Sequence, residues 1–286
     1  MTASALTIAA ALQQAAQLQA CSDTPELDLQ LLLAAVLEKP RSYLYTWPER
    51  QLTTAQQQQL ASWLARRASG EPVAHILGWQ GFWSLELEVN SCTLIPRPET
   101  ELLVELALEL LPEAGVRAAD LGTGTGAIAL ALAHERPQWQ LQAVDRIVDA
   151  AALAERNRQR LGLPNVEVLC GSWCEPLSGS FQLIVSNPPY IDPADPHLQQ
   201  GDVRFEPRSA LVAERGGLAD IEQIAAQSRV LLRGGGWLLL EHGYDQGAAV
   251  RRVLIGNGYR RVETRTDLER RDRVTLGFYG GADGDE

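Results

Sequence analysis

The chain has 286 residues and a net charge of −11, and Lys39 is its only lysine, so arginine supplies nearly all of the positive charge. This balance argues against broad binding of a nucleic-acid phosphate backbone, which needs a basic surface. An apolar content of 45% supports a sizeable core, yet no apolar run approaches the roughly 20 residues of a membrane span.

The N-terminus lacks the basic start and apolar core of a secretory signal, which predicts a cytoplasmic protein. The four cysteines contain no Cys-x-x-Cys pair, and the four histidines are scattered among unrelated segments. We therefore expect reduced thiols and no metal site.

Residues 1–70 are predicted to be helical. Asp23-Thr24-Pro25-Glu26 is a helix start signal before an apolar stretch at residues 27–37. Thr53 or Thr54 caps a longer helix at residues 55–68. Because no polar groups cluster here in a catalytic arrangement, residues 1–75 are interpreted as a small helical bundle for packing or substrate docking.

A β-hairpin linker is predicted at residues 76–97. Residues 83–89 alternate between apolar and polar side chains, which is typical of a half-exposed strand. Thr93-Leu94-Ile95 is the predicted return strand. The linker joins the helical bundle to a second domain at residues 98–286.

The second domain begins with a helix opened by Pro98 and continues as an alternation of strands and helices. The predicted strands lie at residues 116–121, 141–144, 166–169, 181–186 and 237–240, the helices at 127–134, 149–161, 218–232 and 246–255, and a glycine turn at 234–236. Two alternating strands, at residues 259–265 and 273–279, have no helix between them. This order predicts an α/β fold with an open, mostly parallel sheet and a terminal antiparallel hairpin, followed by a polar, disordered tail at residues 280–286.

A glycine-rich loop, Gly122-Thr123-Gly124-Thr125-Gly126, lies between the first strand of this sheet and its helix. Its spacing differs from the G-x-G-x-x-G of dinucleotide sites and from a P-loop. Asp145 ends the second strand, where an acid accepts hydrogen bonds from ribose hydroxyls. Asp120 adds negative charge beside the loop, which favours a cationic ligand over a pyrophosphate. A tight turn with an unrelated surface aspartate is the alternative interpretation.

A ligand with a ribose, a positive charge and no phosphate fits S-adenosyl-L-methionine. Its adenine needs an apolar or aromatic wall near the end of the third strand, and Trp173 follows that strand. The alternative for Trp173 is a core aromatic side chain beneath the loop.

Asn187-Pro188-Pro189-Tyr190 follows the apolar strand predicted at residues 181–186. The two prolines fix φ and lack N–H groups, so a helix cannot use the backbone carbonyls here. Asn187 adds an amide and Tyr190 a flat aromatic face. A rigid set of acceptors beside a ring suits a planar group that carries NH2, although the motif alone also fits a proline turn.

In this order, residues 120–126, Asp145, Trp173 and residues 187–190 resemble class I methyltransferases that modify planar nitrogens. Five segments narrow the resemblance to the bacterial HemK/PrmC-type peptide chain release factor glutamine N5-methyltransferases. They are residues 95–101 (IPRPETE), 186–191 (SNPPYI), 201–207 (GDVRFEP), 239–243 (LLEHG) and 271–277 (RDRVTLG). The resemblance covers nearly the whole chain and implies a Rossmann-like class I sheet joined by the hairpin to the N-terminal helical domain.

The resemblance implies methyl transfer from S-adenosyl-L-methionine to the glutamine amide nitrogen in the Gly-Gly-Gln motif of class-1 release factors. It places the cofactor site on Gly122, Thr123, Gly124, Thr125, Gly126, Asp145, Trp173 and Asn187, and the glutamine site on Asn187, Pro188, Pro189 and Tyr190. Catalysis would rest on Asn187, Pro188 and Tyr190. The Asn187 side-chain oxygen and the Pro188 carbonyl would accept hydrogen bonds from the substrate amide, and the Tyr190 ring would pack against the amide plane. Ser172 departs from the family, which often has Asp there, so the adenine amino group would meet an uncharged hydroxyl.

Two other functions remain open at this stage. An adenine-N6 nucleic-acid methyltransferase shares Asn-Pro-Pro-Tyr but needs a basic cleft. A non-catalytic, nucleotide-binding Rossmann-like module explains the glycine loop and Asp145 but gives no reason for residues 187–190. We therefore expect a protein substrate, no direct nucleic-acid or membrane partner, and a monomer.

Overall fold

The computed structural model describes residues 6–281, so the tail predicted at residues 280–286 lies outside the described part from residue 282 onward. The chain forms two units. The first contains the residues up to Trp79 together with Gln199–Phe205, and the second contains Gln80–Leu198 and the residues from Glu206 onward.

The first unit is helical. Its elements are α1 (Ile8–Leu12), a 3-10 helix (Gln13–Leu18), α2 (Pro25–Leu37), α3 (Ser42–Thr46), α4 (Thr54–Ala68) and α5 (Val73–Leu77). Thr53 caps α4 through a capping box with Gln56, which satisfies two otherwise unpaired backbone donors. Leucines such as Leu29, Leu32 and Leu60 form the core between the helices.

A buried arginine stabilises this unit. The Arg67 side chain is 4% exposed and donates to Asp28 Oδ2 at 2.6 Å and to Asp202 Oδ1 at 2.9 Å. The same guanidinium donates to the carbonyls of Cys21, Gly70 and Glu71. Its charge is therefore compensated on every side, as a buried ion pair requires.

The predicted hairpin forms, but with different strands. β1 (Trp79–Phe82) pairs with β2 (Leu85–Glu88), and the chain turns at Trp83, whose φ is 57°. A single strand over residues 83–89 and a return strand at residues 93–95 were therefore wrong predictions. The alternation does continue through β2, where Leu85 and Leu87 are buried, but the positive φ of Trp83 breaks the strand at its start.

The second unit alternates strands and helices after a 3-10 turn at Pro98–Thr100. In chain order its elements are α6 (Glu101–Leu110), β3 (Arg117–Leu121), α7 (Ala127–Glu135), β4 (Gln140–Asp145), α8 (Val148–Leu161), β5 (Val166–Cys170), β6 (Phe181–Ser186), the short α9 (Glu214–Gly217), α10 (Ala219–Leu231), β7 (Leu232–Glu241), α11 (Gly247–Gly256), β8 (Arg260–Thr266) and β9 (Asp272–Tyr279). Two further 3-10 turns lie at Pro196–Gln199 and Arg208–Ala210, and a third, at Gly201–Phe205, belongs to the first unit.

Within residues 6–281 these strands form a seven-stranded sheet in the order β5-β4-β3-β6-β7-β9-β8. The strands β3 to β7 are parallel, and β9 is antiparallel to both β7 and β8. The predicted α/β fold with a terminal antiparallel hairpin is confirmed. The chain winds in one direction from β3 to β5 and in the other from β6 onward, so a crevice opens between β3 and β6 at their carboxyl ends.

One predicted turn is part of a strand. Gly234, Gly235 and Gly236 lie inside β7, where the register with β6 shifts between Phe181 and Leu183. Because glycine has no side chain, these residues fit into the strand as a bulge. A glycine run in the sequence looks the same for a bulge as for a turn.

Among the residues described, no helix is both long enough and apolar enough to cross a membrane.

Candidate active site

The glycine loop leaves β3 at the carboxyl edge of the sheet. Gly122, Gly124 and Gly126 have φ values of 73°, 57° and 87°, the left-handed region in which other residues are strained. The N–H groups of Gly122 and Thr123 both donate to the Val144 carbonyl, at 2.8 and 2.9 Å. These bonds fix the loop against the end of β4.

Asp145 holds the same loop from the end of β4. Its Oδ2 accepts from the Gly124 N–H and its Oδ1 from the Ile147 N–H, both at 2.9 Å. Burial raises the pKa of this carboxyl above its ordinary value, although the two backbone donors act in the opposite direction. The carboxylate lines the cavity and keeps further lone pairs for a ligand's hydroxyl groups.

Asp120 is fully buried beneath the loop. Its Oδ2 accepts from Thr123 Oγ1 at 2.6 Å and from the Ala129 N–H at 3.2 Å, whereas no described residue donates to Oδ1. Burial raises the pKa of Asp120 to about 6, so the group is still mostly ionised at pH 7. A negative charge below the loop suits a cationic ligand and is unfavourable for a phosphate.

Trp173 forms one wall of the cavity. It follows β5 with a positive φ of 46°, and its side chain is 9% exposed. Gly122 lies directly against the indole, because a Cβ added there would come within 3.2 Å of Trp173 Cζ3. Gly171 lines the cavity beside it, whereas Ser172 is half-buried and lies outside the lining.

Asn187-Pro188-Pro189-Tyr190 leaves β6 beside the glycine loop. Leu121 pairs with Ser186 in adjacent parallel strands, and Ser186 Oγ donates to the Leu121 carbonyl at 2.6 Å. The Tyr190 carbonyl accepts from Gln246 Nε2 at 2.9 Å. Within residues 6–281, nothing donates to Asn187 Oδ1 or to the Pro188 carbonyl. Two acceptors in this turn therefore have no donor in the described part of the chain.

One cavity joins most of the residues predicted from the sequence. Its lining includes Gly122, Thr123, Gly124, Thr125, Asp145, Trp173, Asn187 and Pro189. Gly126, Pro188 and Tyr190 lie outside that lining. Gly126 packs under the loop instead, since a Cβ there would meet Leu130 Cδ1 at 2.8 Å. The Tyr190 ring is close to the charges of Glu241 and Arg273, and burial raises the pKa of its hydroxyl.

Several lining residues were missed by the sequence analysis. Cys92, Thr93 and Leu94 line the cavity from the segment that was predicted as the hairpin linker, and Ser209 and Ala210 come from the loop after β6. No periodicity marks such positions, because loops that converge from distant parts of the chain have no common pattern.

An ion pair connects two of the signature segments. Arg97 Nη2 donates to Glu206 Oε1 at 2.7 Å, and the Glu206 side chain is fully buried. Arg97 also lines the cavity. The pair therefore holds the loop after β6 against the segment that precedes α6. In the described part of the chain, no group of three or more His, Cys, Asp or Glu side chains could hold a metal ion.

Comparison with known proteins assigns the family. Residues 10–78 match the PrmC N-terminal domain, and residues 99–218 match the methyltransferase small domain. A release factor glutamine methyltransferase of Pseudomonas aeruginosa is 58% identical over 257 residues, which cover 90% of this chain and 93% of that protein. This chain belongs to the release factor glutamine methyltransferase family. The family predicted from the signature segments is confirmed.

Other comparisons agree with this assignment. The release factor glutamine methyltransferase of Escherichia coli strain K12 is 56% identical over 264 residues, covering 92% of this chain and 95% of that protein. A methyltransferase crystal structure from Pyrococcus furiosus superposes with a TM-score of 0.54 at 19% identity, covering 77% of this chain and 99% of that one. At that identity the structural match supports the methyltransferase fold alone.

Proposed function

We propose that this chain transfers the methyl group of S-adenosyl-L-methionine to the side-chain amide nitrogen of the Gly-Gly-Gln glutamine in class-1 release factors. The observation that carries the proposal is the pair of available acceptors at Asn187 Oδ1 and the Pro188 carbonyl, at the end of a strand beside an acidic glycine loop. The names of the relatives support the glutamine substrate. The enzyme would act as a monomer in the cytoplasm, where release factors work.

The cofactor site rests on residues of the cavity lining. Gly122, Thr123, Gly124 and Thr125 would cradle the methionine part, with Gly126 supporting the loop from below. Asp145 would accept from the ribose hydroxyls, and Trp173 would cover the adenine. Asn187 lies where this site meets the substrate site. When bound, the cofactor supplies an electrophilic methyl group on a sulfonium.

The chain's own task is to make an amide nitrogen nucleophilic. The lone pair of that nitrogen is shared with its carbonyl, so it attacks poorly in water. Asn187 Oδ1 and the Pro188 carbonyl would accept hydrogen bonds from its two N–H groups, which shifts electron density onto nitrogen and orients it. As the nitrogen takes the methyl group, the carbon–sulfur bond breaks, its electron pair stays on sulfur as a neutral thioether, and the methylated nitrogen then releases one proton to water. Pro189 holds the turn rigid, and Tyr190 would pack against the amide plane. Rate enhancement would come from positioning and fixed dipoles.

The decisive experiment changes Asn187 to Ala and offers a labelled methyl donor with intact release factor and, separately, with duplex DNA. We expect wild-type labelling of the release factor alone, and a loss of about 100- to 1,000-fold in kcat for Asn187→Ala. The cofactor Kd should change less than about threefold. Label on DNA would support an adenine methyltransferase instead, and equal losses of kcat and cofactor affinity would remove the role given to Asn187.

The helical first unit would dock the release factor. Tyr45 and Trp47 are 63% and 50% exposed, and large aromatic side chains at a surface often anchor protein partners. The double variant Tyr45→Ala/Trp47→Ala should raise KM for intact release factor about tenfold with kcat unchanged. Tyr244→Ala removes an equally exposed aromatic (64%) from the second unit and serves as the control. An unchanged KM in the double variant would contradict docking by this surface.

A further inference from the structure

Three signature segments that lie far apart in the sequence meet behind Asn187. The pairing of Ser186 with Leu240 in β6 and β7 places Asn187 beside Glu241, the last residue of β7. Thr100, at the end of the 3-10 turn before α6, completes the group. Glu241 has no role in the proposed chemistry so far. It is nevertheless only 1% exposed, which is unusual for a charged residue.

The hydrogen bonds of this group have one direction. A carboxylate accepts only, and Thr100 and Asn187 both lie close enough to Glu241 to lower its pKa by hydrogen bonding. Asn187 Nδ2 donates to Thr100 Oγ1 at 3.1 Å, which leaves the single proton of the Thr100 hydroxyl free to point at Glu241. The Asn187 NH2 group therefore lies behind the turn, toward Thr100 and Glu241, and Oδ1 is left as the atom that faces a ligand.

We propose that Glu241 and Thr100 are positioning residues that set the orientation of the Asn187 amide, so that its oxygen and not its NH2 group meets the substrate. The inference rests on the proposed function, because an amide nitrogen that must be methylated needs an acceptor. An Asn187 side chain turned by 180° would present a donor to the substrate NH2 group and would repel it.

The negative charge of Glu241 strengthens the same effect. An anionic acceptor on the Asn187 NH2 group pushes electron density toward Oδ1 and makes it a better acceptor. Arg273, Glu99 and Tyr190 also face this carboxylate, and burial is the main cause that raises the pKa of Glu241 to about 7. Its Oε2 has no donor among the described residues.

The test uses Glu241→Gln and Thr100→Val in the full-length enzyme. A glutamine at position 241 can donate to Thr100, which reverses the direction of that hydrogen bond. A valine at position 100 has no hydroxyl, so it can neither accept from Asn187 nor donate to Glu241. We expect kcat to fall about 10- to 100-fold in both variants, with the cofactor Kd within about threefold of wild type. Thr100→Ser keeps the hydroxyl and should retain most of kcat. We expect wild-type kcat to rise with pH near 7 as Glu241 ionises, and this rise should disappear in Glu241→Gln.

Two controls separate orientation from a structural effect. Glu101→Gln removes the same charge from the residue after Thr100, whose carboxylate accepts from the Trp83 N–H, and should keep kcat. Thermal unfolding at pH 8 should show that Glu241→Gln is no less stable than wild type. A lower melting temperature that accounts for the activity loss, or an unchanged kcat in both variants, would overturn the inference.

An NMR measurement that does not depend on turnover distinguishes this inference from the proposed function. In wild type, the Asn187 NH2 protons should exchange slowly with solvent in 15N NMR spectra, and their shifts should follow the ionisation of Glu241. Glu241→Gln and Thr100→Val should abolish that protection. If protection is present but no release factor is methylated, the proposed function fails and the orientation stands. If the enzyme is active and the protons are unprotected, only the orientation fails.

Discussion

Buried charges are treated differently in the two units of this protein. In the helical unit, Arg67 is 4% exposed and is met by two carboxylates and three carbonyls. At the carboxyl edge of the sheet, Asp120 and Glu241 are almost completely buried, and each has one oxygen that no described residue satisfies. A compensated charge serves the fold, whereas an uncompensated one costs stability and is typical of a functional site. The comparison distinguishes a buried charge that supports the fold from two buried charges at the candidate site.

The largest effect on stability should come from breaking the compensated charge. Arg67→Met leaves Asp28 buried without its partner, and we expect the free energy of unfolding to fall by about 3–5 kcal/mol. The double variant Arg67→Met/Asp28→Leu removes both charges and should recover most of that loss. Chemical denaturation measures both variants. A small loss in the single variant would show that the ion pair is not the main compensation.

The buried carboxyl of Glu241 should make the stability of the protein depend on pH. Burial raises its pKa from 4.5 to about 7 in the folded protein, so the folded state keeps a proton that the unfolded state has released. Stability should therefore fall as pH rises from about 4.5 to about 7, by about 3 kcal/mol at most. Asp120 acts in the same direction up to about 6. Denaturant titrations from pH 5 to pH 8 should show a shallower decline for Glu241→Gln, and identical slopes would contradict this account.

Cofactor affinity should be sensitive to the contact between Gly122 and Trp173. Gly122→Ala combines a φ of +73° with a Cβ only 3.2 Å from the indole, so Trp173 must shift. We expect the cofactor Kd to rise about tenfold, equivalent to about 1.4 kcal/mol. Gly162→Ala is the matched control, because its φ of +66° is similar but no atom lies within 4 Å of the added Cβ. Calorimetric titration of both variants would separate backbone strain from the contact.

The smallest effect concerns Ser172. An aspartate there would add a charged acceptor for the adenine amino group, in an environment where Ser172 is half-buried beside Trp173. We expect Ser172→Asp to lower the cofactor Kd about threefold, or by less than about 1 kcal/mol, since the site is partly open to water. Ser172→Asn tests the charge separately from the size. A Kd that stays the same in Ser172→Asp would show that position 172 does not reach the adenine.

Much of the fold was predictable because local signals agree with the global arrangement. The apolar strands, the helix caps and the glycine loop each appear within a few residues, and the βα order fixes a parallel sheet. The errors occurred where one residue changed the local geometry. Trp83 adopts a left-handed conformation and moves the hairpin turn, and the glycines at 234–236 continue a strand as a bulge.

By itself, the sequence determined the class of fold and the family, and it marked the candidate site residues. The glycine loop, Asp145 and Asn187 are recognisable because each function needs a particular residue type at a particular strand end. Only the tertiary structure decided that Thr100, Asn187 and Glu241 lie together, with the Asn187 NH2 group donating to Thr100. It also decided which buried charges are compensated. Hydrogen-bond direction and desolvation depend on neighbours in space, and these three residues are separated by more than 50 positions in the chain.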